Sequence, residues 1–300
     1  MIFFQGSMYT VIKLSKKKAA HYIRHEPRCI NWASLTFDHS LINPKNQMKQ
    51  IRIGALLVLA IILHVNSFAQ ARKKVAVVTF YCDKWIDMSQ LDGAASMAAT
   101  VGTLADDPSF DLKPVLQHFH DVFFNEYAKL FPFDLVPESE VLTNEQYKAF
   151  ESYWGEGKDE DRGKLTQRYT VIDGYKVLTE MLAKKEKQNQ NRMLEILGDK
   201  VDGVMFVNLD FSMVPKVAVG GMGTAGISSY CRMKVWNKAG EKVFTVNETA
   251  NSKGSVAMVK GVPVMKPAEI LPLCEDSSNR LIEDLKKRIE KVAKKAAEKL

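Results

Sequence analysis

The chain has 300 residues and a formal net charge of +7, a length that admits one large domain or two small ones. Residues 1–71 hold nine of the 42 basic and two of the 35 acidic side chains, which leaves 33 of each sign in residues 72–300. That remainder is electrically neutral, so the basic balance gives no argument for a nucleic-acid partner.

The amino-terminal region reads as a leader. A short basic start, from Met48 to Arg52, precedes an uncharged and almost wholly apolar run over residues 53–65. Small residues follow, with Ala69 and Ala71 each placed for cleavage. Basic, apolar, then small-x-small is the architecture of a secretory signal peptide. The run is well short of the roughly 20 residues that a spanning helix needs. Residues 48–71 are therefore expected to be a signal peptide, with an uncleaved anchor as the alternative. Residues 1–47 mix basic clusters with scattered aromatics and show no sustained period. They are expected to be an upstream extension, non-native or disordered, outside the fold. The product is expected to be periplasmic or secreted, with residues 72–300 forming a single α+β domain.

Within that domain, the β-branched run over residues 73–80 predicts a buried strand. Residues 86–113, rich in Ala, Gly, Ser, Met and Asp, predict a long excursion with a short helix over 94–104. Pro114 suits the first turn of a helix, whose stripe is Val115, Phe119, Val122, Phe123 and Leu130; Pro132 ends it. Residues 133–136 predict a short strand, and a second helix follows Pro137 with Leu142, Tyr147 and Phe150 on one side. The polar stretch 155–163 is a solvated loop. Helices are predicted over 175–186, on Leu178 and Leu182, and over 190–197, closed by Gly198.

Residues 201–211 give the clearest central strand. After a glycine-rich interval, residues 229–237 alternate Tyr230, Arg232, Lys234 and Trp236 against Cys231, Met233 and Val235. A turn at 238–240 and a returning strand over 241–249 complete an antiparallel hairpin. Residues 278–300 form a long amphipathic helix on Leu281, Leu285, Ile289 and Val292, with a lysine-rich end that suits the negative helix terminus. The order β-α-β-α-β-β-β-α predicts a mixed β-sheet with helices packed against one face.

Candidate chemistry is sparse. Residues 221–226 (GMGTAG) match G-x-G-x-x-G, but Pro215 breaks the approach and strand follows, so a flexible hairpin loop is expected there. His118 and His120 are two apart, which on a helix points them to different sides and away from a shared metal; Asp121 is expected near His118. Asp83, Asp87, Asp106 and Asp107 flank the excursion after the first strand, where acids serve a site or merely keep a loop soluble. No serine elbow, H-E-x-x-H or P-loop is present. Cys82, Cys231 and Cys274 permit one disulfide and leave one thiol over in an oxidising compartment. Methionines and small residues in loops offer adaptable contacts, which makes Asp83, Trp85, Met88, Met97 and Met222 candidate interaction residues.

Four segments carry a family resemblance. Residues 74–80 (KVAVVTF) resemble the "KIAVLPF"-type opening strand of envelope proteins related to the curli secretion channel and to the amino-terminal domain of TolB. Residues 133–136 (FDLV) are similar to their "F-x-V-V" strand, and 201–207 (VDGVMFV) to "aDyvl-x-G-x-i". Residues 230–243 (YCRMKVWNKAGEKV) resemble their "v-x-l-x-l-x-d-x-x-t-G-e-x-v" hairpin. The likeness spans about 73–250. The chain departs from the channel members in its long loops and in lacking a lipidation cysteine. The resemblance implies envelope assembly or binding and carries over no catalytic residues. The expected function is thus an exported, non-catalytic envelope binding or assembly module without a cofactor, its partner another envelope protein or a second copy. The alternatives are a secreted hydrolase with acids near residues 83–107, and a membrane-associated oligomer.

Overall fold

The computed structural model describes residues 72–91, 104–155, 167–180, 183–219, 222–259, 262–263 and 266–296. The chain divides into two units, Met1–Ala69 and Gln70–Leu300; all that follows concerns the second. The expected signal peptide, the short helix over 94–104 save Leu104, and Met97 lie outside the described residues.

The fold is α+β. Its sheet has eight strands among the described residues: β1 (Lys74–Asp83), β2 (Asp134–Leu135), β3 (Tyr169–Val171), β4 (Gly203–Val219), β5 (Met222–Asn237), β6 (Lys242–Asn251), β7 (Val256–Val259) and β8 (Val262–Pro263). The helices are α1 (Lys113–Asn125), α2 (Glu138–Leu142), α3 (Glu145–Ala149), α4 (Asn189–Leu197) and α5 (Pro267–Ala296). Strands β1 and β4 run parallel at the centre. One edge of β1 takes β2 at its start and β3 at its end. Strand β5 pairs antiparallel with β4, then with β6 along its base and β7 near its tip. Strands β3, β7 and β8 add to the order expected from sequence.

Every residue of β1 after Lys74 is buried, as a β-branched run covered on both faces requires. Helices cover both faces, not one. On the first, α1 and α5 close a large core with Phe80, Phe119, Leu209, Met233 and Leu285 at its centre. On the second, α2, α3 and α4 close a smaller core around Val78, Tyr147, Met193, Phe206 and Trp236.

The sequence reading is corrected in four places. Residues 175–180 are not helical: their backbone groups are held by side chains from elsewhere. Lys176 O accepts from Thr79 Oγ1 at 2.7 Å, and Lys176 N donates to the Tyr147 hydroxyl at 3.0 Å. Leu178 N donates to Thr79 Oγ1 at 3.1 Å, Val177 O accepts from Ser152, and Thr179 O accepts from Asn189. A helix would forfeit all five bonds. In place of the loop expected at 221–226, the described residues from Met222 on are strand: β4 and β5 form a ribbon, with the irregularity placed at Pro215. Gly226 lets Lys216 cross the ribbon, since a Cβ there would meet Lys216 Cε at 2.5 Å. Lys216 Nζ then donates to the carbonyls of Ser252, Lys253 and Gly254 at 2.7, 2.6 and 2.7 Å. The last helix begins at Pro267, not Ser278, and tolerates Pro272 in its second turn. Finally, Cys82, Cys231 and Cys274 are free, buried thiols with no bridge. Cys82 and Cys231 both sit beside Leu209, on opposite neighbouring strands, so two strand spacings of about 4.8 Å separate them, too far for a disulfide.

The β5–β6 turn follows its expectation. Asn237 Oδ1 accepts from Ala239 N and Glu241 N, both at 3.0 Å, and Gly240 takes a φ of 76°. Such a φ is open to glycine at little cost.

Candidate functional site

Helices α2–α4 cover only part of the second sheet face. Beyond them, at the carboxyl ends of the parallel strands β1 and β4, a cleft of about 670 Å³ opens. In sheets with parallel strands this is where ligands commonly bind.

Period-2 alternation builds its floor. Met205, Val207, Leu209, Phe211 and Met213 point into the large core, so Asn208, Asp210 and Ser212 face the cleft. Their cross-strand neighbours on β5 are Arg232, Tyr230 and Ser228. Asn208 Nδ2 donates to Asp210 Oδ2 at 2.7 Å. Burial, then the negative charge of Asp83, pushes the Asp210 carboxyl up to about 6. Burial and the charge of Asp210 likewise raise the Tyr81 phenol, which stays protonated.

One rim is a stacked ladder. Strand β3 pairs with the end of β1, setting Tyr169 opposite Asp83 and bringing Arg168 over it. Arg168 Nε donates to Asp83 Oδ1 and Oδ2 at 2.8 and 3.0 Å, and Nη2 makes a further bond to Oδ2. Trp85 N donates to Asp83 Oδ1 at 2.8 Å. The Arg168 guanidinium lies 5.4 Å from the Trp85 ring and 5.6 Å from the Tyr169 ring, within cation–π range. Tyr169 in turn stacks on Trp154 at 5.8 Å. Across the cleft, Lys234 Nζ donates to Glu180 at 2.7 Å. Arg232 lies over the Tyr230 ring at 5.1 Å. The buried Thr179 hydroxyl has no hydrogen-bond partner.

Of the residues singled out by sequence, Asp83 and Trp85 meet in this cleft. Met88 does not contribute an exposed contact: it is 5% exposed and packs in the large core. Met222 is 72% exposed, at the far end of the ribbon. Of the acids after β1, Asp83 and Asp87 both line the cleft. Asp83 is held by Arg168, whereas Asp87 and Asp107 accept from the nearby Ser89 and Ser109. The two histidines diverge as expected, but Asp121 faces His120. His120 Nε2 meets Glu138 Oε1 at 2.7 Å and Nδ1 meets Asp121 at 3.5 Å. Among the described residues no three His, Cys, Asp or Glu side chains gather as a metal site, and no helix is long and apolar enough to cross a membrane.

Sequence reasoning missed Asn208, Asp210 and Arg168. The first two were legible: a polar residue at every second place of a central strand marks an uncovered face. Arg168 had no signal, because its role depends on a partner 85 positions away. The sequence matches no family model and no curated protein.

Proposed function

We propose that the chain is an exported, non-catalytic binding or assembly module of the cell envelope, with the open cleft as its binding face. The observation that carries this reading is how the cleft's charges are disposed. Asp83 is tied to Arg168 and Lys234 to Glu180, and Asp210 is held by Asn208. A general base or nucleophile works with a second group that activates it, whereas these acids meet a counter-ion or an amide. What remains here is a recognition surface of hydroxyls, amides and stacked rings. The leader-like residues 48–71 and the resemblance to curli-channel and TolB-type envelope proteins support the compartment. Pull-down from envelope extract with the purified chain tests the reading. Capture of a partner that Trp85→Ala abolishes is expected, and identical capture by the variant would remove the cleft from the function.

A second reading, self-association or membrane contact, is favoured by one observation. The exposed large apolar side chains Val217, Met222 and Val262 fall on the far ends of β4 and β5 and on β8. Light scattering with and without liposomes decides it: a monomer that ignores the vesicles ends that reading.

A further inference from the structure

The cleft is too polar for an apolar ligand, and its charges are nearly balanced. Among the described residues, four carboxylates (Asp83, Asp87, Glu180, Asp210) and three cations (Arg168, Arg232, Lys234) line it. No excess positive field gathers phosphate or an acidic chain, since attraction of that kind depends on one sign dominating the walls. An anion at Arg168 or Lys234 would have to displace an internal partner, leaving Asp83 or Glu180 unpaired, and Arg232 already lies over Tyr230 and feels the charge of Asp210. A hydroxyl displaces nothing. A carboxylate keeps lone pairs beyond those its ion pair uses, and a guanidinium has five N–H donors.

The aromatic rim narrows the class further. Trp85 lines the rim with Arg168 over its ring, Tyr169 is flanked by Arg168 and Trp154, and aromatic groups of this kind combine a broad apolar surface with a polar edge. Opposite them the floor offers alternating acceptors and donors from Asp210, Arg232 and Ser212. A ligand that matches both walls has one apolar face and a perimeter of hydroxyls, which is the chemistry of a pyranose ring. The volume lies within the range of ligand pockets and takes more than a single ring.

We propose that the cleft binds a neutral glycan segment, its ring face against the aromatic rim and its hydroxyls on the strand floor. This rests on the reading of the cleft as the binding face. Intrinsic tryptophan fluorescence of the purified chain tests it, with maltotriose, cellotriose and tri-N-acetylchitotriose as probes and inorganic phosphate and hexaglutamate as comparisons. The expected result is a saturable change with at least one trisaccharide, weakened about tenfold in Trp85→Ala, as loss of an aromatic contact implies. Arg232→Gln, followed by calorimetry, should weaken the same ligand and decides the matter if Trp85→Ala does not fold. Saturation by phosphate or hexaglutamate alone would overturn the glycan assignment and leave the cleft as a binding face. Saccharide binding unaltered in both variants places the sugar elsewhere and overturns the proposal. Silence of every probe, together with unaltered envelope capture by Trp85→Ala, would bring down the cleft reading as well.

Discussion

Asp210→Asn is expected to stabilise the protein, and by an amount that depends on pH. The Asp210 carboxyl is raised from 3.8 to about 6, first by burial and then by Asp83. A raised carboxyl reverses the usual aspartate case: the folded state holds the proton more tightly than the unfolded chain. Below 3.8 the side chain is neutral in both states and contributes no difference. As pH rises from there through about 6, the unfolded chain ionises while the folded one still holds its proton, and stability falls. Above that window the loss is complete at about 3 kcal/mol, from about 1.4 kcal/mol per pK unit. Asparagine keeps the shape and the amide oxygen that can accept from Asn208, and carries no charge. The variant should therefore match wild type near pH 4 and exceed it at about pH 8, by roughly 6–12 °C in melting temperature for a domain of this size. Calorimetry or circular dichroism across that range is the assay. A difference that stays constant with pH, or one in which wild type gains on the variant as pH rises, would refute the argument.

Two further expectations rest on different parts of the fold. His120 is buried between α1 and α2, and although burial opposes its charge, the hydrogen bond and charge of Glu138, helped by Asp121, win and raise it above the ordinary value. Its contribution is full below the unfolded value of 6.5 and fades as pH rises through the folded one. The stability cost of Glu138→Gln should thus be larger near pH 5.5 than near pH 9 (~3.5 units apart), and a cost that grows towards high pH in urea unfolding would contradict the pairing. Lys216 clamps the ribbon to the 252–254 loop through three carbonyls. Lys216→Met keeps the aliphatic stem and removes the donors, so hydrogen exchange at the outer ribbon should quicken by an amount corresponding to about 1–2 kcal/mol. Unchanged exchange at Thr224 and Ala225 would show that the clamp holds nothing.

What the sequence displayed was what neighbours in the chain determine. The central strand, the 229–249 hairpin and the stripe of the last helix all appear as periodicity, because one buried face imposes a spacing on local residues. The beginning of α5 was hidden by Pro272 and by the polar residues 275–279, whose serines are small enough for close approach: Ser229 donates to Ser277 O at 2.8 Å. The outer ribbon was hidden by its glycines and Pro215, which signal a loop unless a crossing lysine gives them another purpose.

The largest misreading bears directly on the cleft. Residues 175–186 carry Leu178 and Leu182 at helical spacing, yet residues 175–180 are an irregular strap tied down by Thr79, Tyr147, Ser152 and Asn189. The strap marks the border of the small core: Leu178 is fully buried within it, whereas Thr179 and Glu180 already line the cleft. A few residues thus both seal the core and furnish the cleft wall. A helix over the same stretch would repeat its apolar stripe every three to four residues. It would continue the cover begun by α2–α4 across Asn208 and Asp210, burying a carboxylate that is already hard to bury. The local pattern favoured the helix; the cross-chain hydrogen bonds hold residues 175–180 out of it.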